Sequence, residues 1–211
     1  MSISRDILAG LVLTGGKSQR MRRDKATLVV GERSLWRMAA DVLASQVDTV
    51  YLVGAVASLN NTDPYRLLPD DPPGFGPLGG IATGLEQSGY THHLVLAVDY
   101  PLIRHELLQL IGDRATGVQA VCGRSHEFLE PLVAYYHADC AAVIRRMLAE
   151  GEIRTHKLYE RVRSHILNDE EYDSVDPDRL SQFNVNTPDD LERVRVRWAA
   201  QNTQQRPLEN R

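Results

Sequence analysis

Three short runs of mostly valine, leucine and isoleucine, Ile7–Leu13, Val50–Val53 and Leu94–Val98, constrain this chain more than any other feature. They are too short to be helices of typical length and apolar on successive residues, which is the pattern of strands buried on both faces. Between them lie helical patterns. Leu35, Met38, Ala39, Val42 and Leu43 share one helical face, and a second helix is expected from Leu78 to Gln87. Strand, helix, strand, helix, strand in this order predicts right-handed parallel crossovers and a three-layer α/β/α sandwich with a mostly parallel sheet. Further along, Pro131–His137 reads as a strand and Ala138–Glu150 as a helix. Thr187-Pro188-Asp189-Asp190 reads as a helix start, with threonine at the cap, proline in the first turn and acids against the dipole. That helix is expected to end near Ala199. Residues 1–199 are expected to form one domain, and the polar tail 200–211, without apolar periodicity, a disordered end.

A length of 211 residues is enough for a substantial core. The net charge of −4 disfavours a general binder of nucleic acid or acidic membranes. The two cysteines, Cys122 and Cys140, lack metal-ligand spacing and suggest a reducing compartment. No apolar run approaches membrane-spanning length, and the opening residues lack the pattern of a secretory signal. A cytoplasmic location is therefore expected.

Four constellations could carry chemistry. After the first strand comes Leu13-Thr14-Gly15-Gly16, then a basic segment holding Arg20 and Lys25. Paired glycines let the backbone approach an anion and point N–H groups at it, while Arg20 and Lys25 can neutralise phosphate oxygens. Gly16-Lys17-Ser18 mimics the end of a Walker A loop, but the position where that loop needs its first glycine is Leu11. A P-loop is thus disfavoured; a solvated basic loop beside a tight turn is the plain alternative. Asp99, at the end of Leu94–Val98, puts a hard oxygen ligand where Mg²⁺ could bridge phosphates, or else caps the helix expected around Arg104–Ile111. Asp70 and the Gly76–Gly80 stretch, with Gly76, Pro77, Leu78 and Gly79, could read a base edge or could simply form a loop. Asn184 and Asn186 alternate onto one face of a short extended segment, as paired substrate-orienting amides or as turn formers before a capped helix.

In this order the four pieces resemble the molybdenum cofactor guanylyltransferases, within the wider superfamily of nucleotidyltransferases with a Rossmann-like sheet of the nucleotide-diphospho-sugar transferase type. The family pattern Leu-Ala-Gly-Gly, Arg-Met-Gly, Asp-Lys reads here Leu13-Thr14-Gly15-Gly16, Arg20-Met21-Arg22, Asp24-Lys25. Leu35-Trp36, Asp70 with Gly76-Pro77-Leu78, Asp99-Tyr100-Pro101 and Asn184-Val185-Asn186-Thr187-Pro188 also match, over about Ile7 to Glu192. Thr14 and Arg22 depart from the pattern, and Val53-Gly54 lacks the asparagine some members carry. The paired glycines resemble the guanylyl-transferring branch; sister cytidylyltransferases typically have Ala-Gly there.

The resemblance implies transfer of GMP from GTP to the terminal phosphate of molybdopterin or its molybdenum-loaded form, with release of pyrophosphate. It implies Arg20, Lys25 and Asp99 as catalytic residues, with Mg²⁺ on Asp99. Leu13, Thr14, Gly15, Gly16, Lys25, Asp70, Gly76, Pro77, Leu78, Gly79 and Asp99 would hold the nucleotide, and Asn184 and Asn186 would face the pterin phosphate. Proteins that insert molybdenum or deliver the cofactor are the implied partners. A cytidylyl- or sugar-phosphate nucleotidyltransferase, or a nucleotide- or pterin-binding carrier without catalysis, is the alternative.

Overall fold

The computed structural model describes residues 3–4, 7–15, 24–54, 59, 62–125 and 127–205. Gly16 and Arg20 lie outside the described residues. The strands are β1 (Leu8–Leu13), a short hairpin of β2 (Val29–Val30) and β3 (Arg33–Ser34), β4 (Thr49–Gly54), β5 (Arg66–Pro69), β6 (His92–Ala97), β7 (Ala120–Ser125), β8 (Phe128–His137) and β9 (Ser164–Ile166). The helices are α1 (Leu35–Ala44), α2 (Gly76–Gln87), α3 (His105–Asp113), α4 (Cys140–Ala149), α5 (Asp169–Asp173) and α6 (Pro188–Gln205).

Seven strands form one sheet in the order β5-β4-β1-β6-β8-β7-β9. Neighbours pair in parallel except at β8, which runs against both β6 and β7. The three layers follow from the pleat of β1. Gly10 and Leu11 point to opposite faces. On one face, a Cβ at Gly10 would stand 3.1 Å from Leu43 Cβ of α1. On the other, a Cβ at Gly84 of α2 would stand 2.5 Å from Leu11 Cδ1. Missing side chains therefore let a helix press closely on each face, with α3 beside α1 and α4 beside α2. Leu11, Leu52, Leu94 and Leu96 are fully buried between the layers. Burial on both faces is what made these strands read as continuous apolar runs.

Several boundaries differ from expectation. Helix α2 begins at Gly76, earlier than the expected Leu78, because Pro77 sits in the first turn where its missing N–H costs nothing. Strand β8 begins at Phe128 rather than Pro131, paired as a hairpin with β7. Helix α6 runs to Gln205, past the expected end near Ala199. No glycine or proline interrupts it there, and polar residues with adequate helix propensity continue a helix without an apolar stripe. Both cysteines are free and buried, and burial pushes each thiol up to about 12. Among the described residues, no helix is long and apolar enough to cross a membrane.

Candidate active site

Parallel β1, β4 and β6 end together, and their carboxyl ends open a crevice of the kind ligands use in open α/β sheets. The bend after β1 is tied to both neighbours. The Thr14 N–H and its Oγ1 hydroxyl both donate to the Val53 carbonyl, each at 2.9 Å. Val98 N–H donates to the Leu13 carbonyl at 3.3 Å. Thr14 is buried with its N–H and hydroxyl both spent on β4, which leaves its carbonyl oxygen for a ligand. Gly15 follows immediately, against Gly54: a Cβ on Gly54 would stand 3.0 Å from the Gly15 nitrogen. Gly54 has φ +108, a left-handed conformation that side chains rarely adopt.

Lys25 opens a short 3₁₀ turn capped by Asp24, whose side chain accepts from Ala26 N–H. The turn aims the lysine back over the sheet edge. Its Nζ lies 3.0 Å from Asp99 Oδ2 and 2.9 Å from Asn186 Oδ1. Three segments far apart in sequence thus converge on one ammonium. Asp99 sits in the turn after β6, and its carbonyl accepts from Val185 N–H at 2.8 Å, which brings the Asn184–Asn186 segment alongside. Asn186 is held in turn by α6. Asp190 Oδ2 accepts from the N–H groups of Asn186 and Thr187, while Thr187 Oγ1 accepts from Asp190 N–H. The expected threonine cap is present, as a reciprocal capping box.

Burial raises the Asp99 pKa, and the neighbouring Lys25 charge and hydrogen bond partly offset that rise. Two hard oxygen donors, the Asp99 carboxylate and the Asn186 amide, point at a position already held by a cation. That donor chemistry suits a small divalent ion that takes one or two protein oxygens and completes its shell with phosphates. Asp99 does not cap α3; the residue before that helix is Arg104.

Asp70 follows β5 on the other side of the bend. Its Oδ1 is buried and has no hydrogen-bond partner among the described residues, and burial raises its pKa. It lies against two glycines: a Cβ on Gly80 would stand 3.3 Å from Oδ1, and one on Gly54 3.4 Å. Thr83 clamps the next residue, accepting from Asp71 N–H and donating to the Asp71 carbonyl, both at 3.1 Å. An acceptor atom is therefore held, unsatisfied, in a slot kept open by absent side chains.

The expected residues thus divide. Lys25, Asp99 and Asn186 meet directly, and Gly15 and Asp70 both border Gly54. Asn184 lies on the same segment, partly buried, with its Oδ1 unpartnered among the described residues. Gly76 and Pro77 form the exposed first turn of α2. Leu78 is instead fully buried, so its side chain belongs to the core; apolar packing of α2 on the sheet claims it. Gly79 serves close packing, since a Cβ there would stand 2.7 Å from Phe75 Cβ. Gly80, within the expected Gly76–Gly80 stretch, and Gly54, outside the four constellations, are the glycines that border Asp70. Nothing in their spacing distinguishes them; only the pairing of β4 with β5 does. The basic residues Arg154 and Lys157 pair with Glu152 and Glu160 at the surface.

Residues 10–166 match the MobA-like NTP transferase domain. A Pelotomaculum thermopropionicum protein named probable molybdenum cofactor guanylyltransferase is 33% identical over 187 residues, covering 89% of this chain and 91% of that one. A Desulfosudis oleivorans molybdenum cofactor guanylyltransferase is 29% identical, covering 90% and 95%. In fold, the chain is similar to molybdopterin-guanine dinucleotide biosynthesis protein A from Archaeoglobus fulgidus, with TM-score 0.78 and 24% identity over 91% of this chain and 99% of that one. It is also similar to 2-C-methyl-D-erythritol 4-phosphate cytidylyltransferase from Thermus thermophilus, with TM-score 0.67 and 14% identity over 94% and 100%.

Proposed function

The chain belongs to the MobA-like NTP transferase family and is a nucleotidyltransferase, and on that premise we propose that it transfers GMP from GTP to the terminal phosphate of molybdopterin or its molybdenum-loaded form. The observation that carries the choice of base is Asp70. Guanine presents two adjacent donors, its ring N1–H and 2-amino group, on the edge where cytosine presents acceptors. A carboxylate held beside the bend with an unpartnered oxygen suits the former.

The reaction is an in-line displacement. An oxygen of the acceptor's terminal phosphate forms a bond to the α-phosphorus. The bond from that phosphorus to the β-phosphate bridging oxygen breaks, and pyrophosphate leaves with the electron pair. The nucleophile is already anionic, so alignment and charge neutralisation supply the acceleration rather than a strong base. Gly15 N–H and the backbone beside it cradle the phosphates, and Gly16 and Arg20 extend that cradle in the proposal. Lys25, held at one point by Asp99 and Asn186, supplies mobile positive charge to the triphosphate. Asp99 would hold Mg²⁺, with the Asn186 amide beside it. Magnesium, when bound, supplies Lewis-acid neutralisation at the phosphoryl oxygens. Asn184 and Asn186 orient the acceptor's phosphate end.

The test is pyrophosphate release from GTP, CTP or ATP, each with Mg²⁺ and molybdopterin. Release with GTP and formation of the guanine dinucleotide are expected. Turnover with CTP and none with GTP would overturn the base assignment, and nucleotide binding without pyrophosphate release would point to a carrier.

A further inference from the structure

Strand β8 is reversed, so it enters the sheet from the catalytic edge. Leu96 pairs with Val133, the last printed pair before the turn that holds Asp99, so the residues preceding Val133 on β8 approach that turn. The side chains bear this out: Tyr100 Oη donates to Glu130 Oε2 at 2.6 Å. Tyr100 is buried. Two residues before Glu130, on the same face of β8, stands Phe128. It is 76% exposed, more than any other large apolar side chain among the described residues. Its backbone is nonetheless placed. Phe128 pairs with Ser125 across the hairpin, and the Gln182 amide donates to the Arg124 carbonyl at 2.9 Å, joining that hairpin to the segment leading to Asn184.

Gly15, Gly54, Asp70 and Gly80 put the nucleotide on the β1–β4–β5 half of the edge. The remaining half, beyond Asp99, belongs to β8. We propose that Phe128 is the stacking platform for the planar ring of the acceptor substrate, and that Glu130, acting through Tyr100, is the positioning residue that holds this end of β8 beside Asp99. The inference rests on the guanylyl-transfer reading and adds the residues that would hold the planar pyrimidinone ring of the pterin acceptor. An exposed phenyl face offers such a ring dispersion and stacking at little entropic cost, and offers a sugar phosphate far less.

Steady-state kinetics on the full chain with Mg²⁺, GTP and molybdopterin test it. Phe128→Ala raises the acceptor KM about tenfold, the scale of one stacking contact, with kcat and the GTP KM little changed; Phe128→Tyr restores it. Tyr100→Phe keeps the ring but loses the bond to Glu130, and raises the acceptor KM alone. Glu130→Gln, whose amide oxygen still accepts from Tyr100, stays near wild type, whereas Glu130→Leu follows Tyr100→Phe. An acceptor KM unmoved by Phe128→Ala, or a GTP KM that rises equally, overturns the platform. Equal kinetics for Glu130→Gln and Glu130→Leu overturn the positioning role. If the wild type transfers nothing to molybdopterin, the functional reading fails and the subsite with it; if it transfers normally while the variants change nothing, only the subsite fails.

Discussion

Lys25 Nζ and Asp99 Oδ2 stand 3.0 Å apart across 74 residues of sequence, in a pocket that leaves their side chains 13% and 21% exposed. An ion pair so placed is a poor device for stability, because desolvation cancels much of its Coulombic gain. It is a good device for holding two charges where a third, from a ligand, will enter.

Asp99→Asn is expected to abolish turnover, by about a thousandfold or more, by removing the anionic ligand for a divalent ion. Lys25→Ala is expected to weaken GTP binding by about tenfold to a hundredfold, the scale of a charge-assisted contact. Isothermal titration with GTP and a turnover assay over a magnesium series separate the two. Asp99→Asn at near wild-type rate in limiting magnesium would refute the metal role, and an unchanged GTP affinity in Lys25→Ala would refute the phosphate role.

Asp70 should set stability against function. Burial raises its folded pKa above the unfolded value of 3.8, so folding favours the protonated acid. Its stabilising contribution is complete below 3.8 and is lost as pH rises through the folded pKa; at neutral pH the ionised group is a cost. Asp70→Asn is therefore expected to raise Tm at pH 7, by about 2 °C, with a smaller gain under acid conditions. The same variant should lose GTP affinity. A lower Tm at pH 7 would contradict the assignment.

Gly80→Ala tests the slot without harming the helix. Alanine favours a helix interior over glycine by about 1 kcal/mol, so thermal stability should hold. The new methyl would stand 3.3 Å from Asp70 Oδ1 and 3.5 Å from Leu13 Cδ2, crowding whatever Asp70 binds. A raised KM for GTP with unchanged Tm and unchanged acceptor KM is expected. Wild-type GTP kinetics would place the base elsewhere.

His93, fully buried at the start of β6, gives a pH signature unrelated to catalysis. Burial lowers its pKa from 6.5 to about 4, while its Nε2 bonds Ser88 Oγ at 2.7 Å and its Nδ1 has no hydrogen-bond partner among the described residues. The unfolded chain takes up this proton near pH 6.5 and the folded chain only near 4. Its stabilisation is thus present above 6.5 and lost as pH falls toward 4, at up to about 1.4 kcal/mol per pH unit. Chemical denaturation between pH 7 and 4 should show a shallower slope in His93→Gln than in wild type. Identical slopes would assign the acid sensitivity to other groups.

The sequence disclosed the parts of the site that depend on strand ends. Apolar runs stopping at Leu13 and Val98 placed Gly15 and Asp99 on one edge, because parallel strands joined by crossovers share a direction. Asn186 was legible from its place before a helix cap. Residues whose role depends on register or depth were not. Thr14 turns its hydroxyl to β4, Leu78 enters the core, and Gly80 rather than Gly79 borders Asp70. Strands β7 and β9 escaped notice because one is short and the other carries Gly123 within a register shift. The partnership of Tyr100 with Glu130 needs a reversed strand that no local pattern announces.

Lys25 meets an asparagine 161 residues away as well as an aspartate 74 residues away. Contacts at such separation close only after large loops have lost their freedom, so they form late and slowly. Catalytic competence should therefore return during refolding no earlier than the last long-range pairing. A partly collapsed chain, even one with its helices formed, would have no working centre, and regained turnover would be a stricter clock of folding than recovered helicity.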